Sequence, residues 1–339
     1  MSKKNSIVLN HKNCFSSSER LLSLYSNFKK KISKCKSNRF LVAVSGGADS
    51  LALAAMCKAF ENDNKKKKFY YFNINHGIRK NSQKESKYVQ KILKKQNIAL
   101  KILINKEPIK KNIQHNARKI RYAILNNVCK KKKINFILTG HHKEDQIETF
   151  LIRLSRGSGV QGLSAMNSTS VLNSNTKIMR PFLTESKKDL IFASKKIFGN
   201  FVKDPSNKNK KFLRTKIRKL LPLLNKYGIN EEQIIKSINN LKSSSKTINI
   251  YFNEILKKIV KQKNRKFIIQ KKGLFSINEE LQIKILGFII KSLNKLDYPP
   301  RSKKIILALK ILDSANVIKY QLGGCSLISK NSHIYIEKL

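Results

Sequence analysis

The chain has 339 residues, with 72 Lys plus Arg against 20 Asp plus Glu, a formal charge of +52. Its 40% hydrophobic content suffices for packed cores and excludes wholesale disorder, and no apolar run approaches the roughly 20 residues of a membrane span. The five cysteines (Cys14, Cys35, Cys57, Cys129, Cys325) never fall in C-x-x-C spacing, which excludes a sequence-visible zinc ribbon, a C-x-x-C redox pair and a disulfide scaffold.

Residues 1–13 carry charge but no apolar h-region, so a soluble protein in the reducing cytoplasm is expected. At roughly 100–200 residues per domain, two or three domains are expected. A pI near 10.3 suggests a polyanionic partner, nucleic acid first. The abundance of Lys, Asn and Ile fits AT-rich codon usage equally well, so charge alone does not decide.

In chain order, residues 17–32 read as a helix with Leu21, Leu22, Tyr25 and Phe28 at helical spacing. Strands are expected at 39–44, 69–75, 98–104 and 136–139. Helices are expected at 50–60, 82–95, 113–131 and 142–154. This alternation implies a doubly wound, mostly parallel α/β sheet with helices on both faces. After Pro181 the alternation stops. A helix near 187–198 leads to a polar, linker-like stretch at 203–211, then a helix at 212–224 and a long, mostly helical region at 230–261. The tail mixes β runs at 267–270, 317–322 and 333–337 with helices near 279–293 and 302–312, and Gly323-Gly324 reads as a turn.

The sharpest local signal is Ser45-Gly46-Gly47-Ala48-Asp49-Ser50, between a strand and a helix. Two glycines let the backbone approach an anion without a Cβ in the way. Free backbone N–H groups at a helix N-terminus favour phosphate oxygens, and the Ser45 and Ser50 hydroxyls can add donors. Asp49 would repel phosphate unless a cation intervened, and Mg²⁺ bridging Asp49 and the phosphates resolves that. The Walker pattern is absent. The loop resembles that of the ATP pyrophosphatase (PP-loop) superfamily, whose members cut ATP between its α- and β-phosphates. By contrast, Gly157-Ser158-Gly159-Val160-Gln161-Gly162 matches G-x-G-x-x-G but follows a helix, where a dinucleotide fingerprint needs a strand; it reads as a free loop bordering the site.

Further segments fall in a fixed order: Asn75-His76-Gly77-Ile78-Arg79 with Ser82 and Glu85; Ala117-Arg118-Lys119-Ile120-Arg121-Tyr122; Thr139-Gly140-His141-His142-Lys143-Glu144-Asp145-Gln146-Ile147-Glu148-Thr149, continuing through Arg153 and Arg156; Arg180-Pro181-Phe182-Leu183; and Asp204-Pro205-Ser206-Asn207 with Phe212, Arg214, Ile217 and Arg218. As a set these resemble the tRNA(Ile)-lysidine synthase family, over about residues 40–220. Leu322-Gly323-Gly324-Cys325 is weakly similar to that family's C-terminal module. Asn75 stands where the family usually has Asp, Gln114 where an acid is usual, and Glu144 replaces the first of two usual acids.

The resemblance implies an ATP-binding catalytic domain over 39–215, preceded by a helical extension (1–38) and followed by a helical and α+β tRNA-binding region (216–339). It implies a ligase acting on the wobble cytidine of the CAU anticodon of tRNA(Ile). The cytidine C2 oxygen attacks the ATP α-phosphate, pyrophosphate leaves, and the ε-amine of L-lysine then displaces AMP. ATP is the co-substrate and Mg²⁺ its expected companion.

Several residues suit those tasks. Asp145 and Glu148, at i and i+3, share a helix face, and in the family these positions recognise lysine; either could also serve as base or anchor. Arg118 and Arg121, also i and i+3, suit charge on the α-phosphate. His141-His142 could suggest a metal, but neighbours on a strand point opposite ways, which favours a nucleotide or substrate contact or a packing role. His76 reads as a cleft residue, and Arg214 and Arg218 as tRNA contacts.

No membrane association is expected. Oligomeric state stays open, a homodimer included. The alternatives are another enzyme of the superfamily, such as a tRNA thiolase or amide-forming ligase, and a non-enzymatic basic RNA-binding protein. The first would need paired or catalytic cysteines or a glutaminase domain, and the second leaves the acid-containing loop unexplained.

Overall fold

The computed structural model describes residues 15–16, 18–78, 81–105, 107–109, 112–202, 213–296, 298–314 and 317–339. Cys14, Arg79, the linker-like stretch at 203–211, Asp204 to Asn207 within it, and Phe212 lie outside the described residues. The chain divides into two compact units, Met1–Asn239 and Asn240–Leu339.

The first unit opens with α1 (Glu19–Ser33), β1 (Arg39–Ala43), α2 (Ala48–Asp63), β2 (Lys68–Asn75), α3 (Ser82–Lys94), β3 (Leu100–Ile104), α4 (Ile113–Lys132), β4 (Phe136–Leu138) and α5 (Lys143–Leu154). These are the alternating elements expected from the sequence, with ends moved by a few residues. Then come α6 (Val160–Leu163), β5 (Thr169–Val171), β6 (Lys177–Met179), α7 (Lys187–Phe198), α8 (Leu213–Lys226) and α9 (Glu231–Ile259), whose last part belongs to the second unit. The segment 157–162, expected to be a free loop, holds the single turn α6. The β5–β6 hairpin was not expected: its three-residue strands contain Thr, Ser and Lys and present no apolar run.

The sheet order is β3-β2-β1-β4-β6-β5, parallel except where β5 runs against β6. Val42 of β1 pairs with Tyr71 of β2 on one side and Leu138 of β4 on the other. Successive strands therefore leave β1 in opposite directions. The crevice above the C-terminal ends of β1 and β4 is the switch point where doubly wound folds hold ligands. Both faces are covered, which is why the strands read as apolar runs. One face packs Phe40, Val42 and Phe69 against α1, α2 and α7; the other packs Leu41, Phe72 and Ile137 against Leu125 and Cys129 of α4. Phe28 of α1 is wholly buried, edge-on to Phe60 (6.3 Å between centroids) and tilted on Phe182 (6.0 Å).

The second unit holds the rest of α9, β7 (Val260–Lys263), β8 (Lys266–Gln270), α10 (Lys271–Phe275), α11 (Glu279–Asn294), α12 (Ser302–Ser314), β9 (Val317–Leu322), β10 (Cys325–Lys330) and β11 (His333–Lys338). Its antiparallel sheet has the order β7-β8-β11-β10-β9. Apolar residues of α11 and α12, among them Ile285, Ile289 and Leu309, pack with Leu327, Ile334 and Ile336. Gly323 and Gly324 form the two-residue turn between β9 and β10, with φ of +60° and +78°. Positive φ at both central residues is the hairpin geometry that glycine tolerates without strain.

Phe28→Ala should cost about 3–5 kcal/mol, because a buried aromatic leaves a cavity that its ring neighbours cannot fill. Urea denaturation checks this; an unchanged midpoint would contradict the packing described.

Candidate active site

The loop after β1 is tied from within by Ser50. Its Oγ accepts from the backbone N–H of Ser45 (3.2 Å) and Gly46 (3.1 Å) and donates to the Gly47 carbonyl (2.9 Å), while Ser45 Oγ donates to it (3.2 Å). Both hydroxyls are thus engaged inside the loop. The N–H groups of Gly47, Ala48 and Asp49, at the start of α2, remain for an anion. Gly46 has φ +94°, and a Cβ there would lie 2.4 Å from Val89 Cγ2. The loop is also held from outside: Asn73 Nδ2 donates to the Val44 carbonyl, Ser86 Oγ donates to Asn73 Oδ1, and the Val202 N–H donates to the Gly46 carbonyl. Gly140, just after β4, presses on the other side, since a Cβ there would sit 2.8 Å from the Asp49 carbonyl oxygen.

His142 joins this loop to α5. It is the N-cap of α5, with a capping box to Asp145, and is 1% exposed. Its Nε2 lies 3.6 Å from Asp49 Oδ2 and 3.5 Å from Asp145 Oδ2, and its Nδ1 lies 3.0 Å from Glu144 Oε2. Burial works against charge on the ring, but the hydrogen bond to Glu144 and the fields of Asp145 and Asp49 outweigh it, so the His142 pKa is raised. Glu144 and Asp145 show the reverse balance: burial opposes their charge, the imidazolium wins, and both stay below the usual carboxylate range. Glu144 also accepts the Lys187 N–H at the start of α7 through both oxygens, at 3.0 Å each.

Asp49 is the exception among these acids. Burial raises its pKa, Asp145 and Glu144 add to the rise, and His142 and Lys187 only partly oppose it. Its Oδ1 is buried without a hydrogen-bond partner. An orphaned carboxylate oxygen beside a phosphate loop suits a hard cation that brings its own phosphate ligands, the way Mg²⁺ is usually held. Among the described residues no group of three or more His, Cys, Asp or Glu is arranged to hold a metal by itself.

His141 faces a different environment from its neighbour. Thr139 Oγ1 lies 2.8 Å from its Nδ1. Its pKa is pushed down to about 3, first by burial and then by Arg118, Arg180 and Arg214, against the pull of Asp145. Arg118 stacks over the Tyr122 ring at 5.0 Å. Arg121 lies within electrostatic reach of His76, whose pKa falls to about 4, chiefly through burial. Both His76 ring nitrogens are buried without a partner. Glu148 is 2% exposed and is gripped by the Arg218 guanidinium through Nε and through Nη2 (3.3 Å).

The structure thus brings the loop 45–50, His142, Asp145, Glu148 and Arg218 to one acidic side, and His141, Arg118 and Arg214 to an adjoining cationic one. Arg121 and His76 lie together by the end of β2. Sequence reading quoted Arg180 and Thr139 within motif segments but gave them no role, and it missed Lys187, whose place beside Glu144 only the fold reveals. Cys57 and Cys129 are buried in the cores, with burial pushing the Cys129 thiol up to about 12, so neither suits sulfur chemistry.

A family model described as a PP-loop domain matches residues 20–224. The chain is 33% identical over 303 residues to a tRNA(Ile)-lysidine synthase of Wolbachia pipientis wMel, covering 88% of this chain and 70% of that protein. It is 39% identical over 186 residues to a tRNA(Ile)-lysidine synthase of Orientia tsutsugamushi (strain Boryong), covering 54% and 41%. In fold it is similar to the solved U34-tRNA thiolase from Methanococcus maripaludis, with a TM-score of 0.56 and 18% identity over 66% of this chain and 79% of that one.

A raised folded-state pKa on His142 means its charge contributes stability below the unfolded value, roughly 6.5. That contribution is lost as pH rises through the folded value. Urea denaturation of the wild type and His142→Gln should therefore differ most between about pH 5 and 6.5, where Glu144 and Asp145 remain ionised, and converge at higher pH. A gap that widens with pH would contradict the assigned charge.

Proposed function

The chain belongs to the tRNA(Ile)-lysidine synthase family, and we propose that it runs its reaction across the boundary between the acidic and cationic sides of the site. The enzyme is an ATP-dependent ligase that converts the wobble cytidine of the CAU anticodon of tRNA(Ile) to lysidine. ATP and L-lysine are consumed, AMP and pyrophosphate are released, and codon reading changes from AUG to AUA. The observation that carries the residue assignment is the His142 bridge, which holds the phosphate loop's Asp49 and the acid Asp145 against one imidazole.

In this reading the open N–H groups of Gly47, Ala48 and Asp49 receive ATP phosphate. Asp49 would hold the Mg²⁺, which when bound offsets phosphate charge beside that carboxylate. Arg118 and Arg121 draw charge from the α-phosphate as the cytidine C2 oxygen attacks it and pyrophosphate leaves. Lysine enters on the acidic side. Asp145, held ionised, is an anchor for an ammonium group and a poor base for the amine. Among the described residues its Oδ1 makes no hydrogen bond, so one oxygen remains for that ammonium. Glu148 is the second anchor; lysine there must share or displace Arg218. The lysine ε-amine then attacks C2 and AMP departs. His76 and His141, both held neutral, supply hydrogen bonds without adding charge. Arg214 of α8 meets the tRNA backbone, whereas Arg218, expected as a tRNA contact, is held on Glu148 instead.

No helix among the described residues is long and apolar enough to cross a membrane. We place the enzyme in the cytoplasm, with its tRNA.

With purified protein, ATP, labelled lysine and the matching tRNA, lysine should be incorporated and AMP and pyrophosphate released. Asp49→Ala should abolish pyrophosphate release. Asp145→Ala should lower lysine transfer on the order of 100-fold, about 2.7 kcal/mol, while sparing adenylation. Equal loss of both steps would count against the lysine assignment.

A further inference from the structure

Arg180 is a buried cation without a carboxylate. It directly follows β6 and is 6% exposed. Its Nη1 donates to the Asn167 carbonyl (2.9 Å) and to Ser170 Oγ (3.0 Å). Its Nε–H is shielded from solvent and has no hydrogen-bond partner. No ion pair among the described residues includes it.

A buried charge is normally retained only when it is paired or bound to a ligand. Here the neighbours make pairing worse. Burial weighs most against its charge, and repulsion from Arg118 adds to that penalty. Arg118, Arg180 and Arg214 all act on His141, so three cationic charges lie within electrostatic reach of one ring. The two bonds that Arg180 makes are to neutral groups and leave from Nη1. They brace the β5–β6 hairpin and leave the opposite edge of the guanidinium, Nε with Nη2, without a partner among the described residues. That edge is the fork that matches two oxygens of one phosphate.

We propose that the Nε–Nη2 edge of Arg180 binds a phosphate group of a substrate beside His141. This rests on the reaction assigned above. The phosphate is either the phosphodiester next to the target cytidine or a phosphate of the nucleotide. Arg180 is then the counter-charge at the floor of the cationic side, and bound phosphate supplies the partner that the fold withholds.

The test uses the full chain labelled with ¹⁵N at arginine. The Arg180 Nε–H resonance, assigned through bonds and by its loss in Arg180→Lys, is followed during titration with AMP, inorganic pyrophosphate, or a CAU anticodon stem-loop RNA. It should shift with at least one probe. A shift with AMP or pyrophosphate names the nucleotide as the source, and one with the RNA alone names the phosphodiester. No shift with any of the three overturns the proposal.

Kinetics supply an independent readout. In Arg180→Gln the KM for the substrate carrying that phosphate should rise about 10-fold or more, with the other KM unchanged; Arg180→Lys, a single charged donor, should recover part of the loss. A lowered melting temperature with both KM values unchanged would make Arg180 only a brace for the hairpin and overturn the proposal. If Arg180→Gln does not fold, the wild-type titration decides. Absence of lysine transfer by the wild type would sink the assigned reaction yet leave the titration readable.

Discussion

The site depends on one imidazole held among three carboxylates. His142 touches Asp49 from the loop after β1 and Glu144 and Asp145 from the first turn of α5, and Glu144 in turn caps the start of α7. Without a positive ring there, three acids would face one another in a buried space, and like charges at that range are costly. The loop, α5 and α7 are thus fastened at one point by charge, in addition to their apolar contacts. The loop after β1 cannot move independently of the helix that carries Asp145 and Glu148.

The same short stretch builds the opposite environment one residue earlier. His141 and His142 lie beyond the end of β4, in the turn that leads into α5, and their rings meet different surroundings. One meets carboxylates and the other meets guanidinium groups. Identical side chains are therefore driven apart, His142 toward the cation and His141 to a neutral ring titrating at about 3. A reaction that brings an anionic nucleotide to a cationic amino acid needs both environments side by side. The turn between β4 and α5 provides them, with His142 fixed as the N-cap of the helix.

Several buried charges here are poor investments for stability alone. Glu148 with Arg218, Asp49 with its orphaned Oδ1, and Arg180 with its unpartnered Nε all carry a desolvation cost that apolar residues of similar size would avoid. Groups left incomplete by the fold are groups a ligand can complete.

Much of this is legible in the sequence. Residue periodicity alone determined the alternating helices and strands to position 154, because strands covered on both faces must be apolar and their covering helices must carry a stripe. Gly46 and the turn at 323–324 announced themselves because only glycine takes those backbone shapes cheaply. The acids at 145 and 148 could be placed on one helix face by spacing. What the sequence could not contain was which side of the crevice each charge faces, or who partners whom. Arg218 meets Glu148 from seventy residues away, Glu144 caps a helix forty-three residues on, and Arg180 is aimed by a hairpin too short and too polar to show as strands. Those pairings are set by the order in which strands assemble around β1, a long-range outcome of packing that no local pattern encodes.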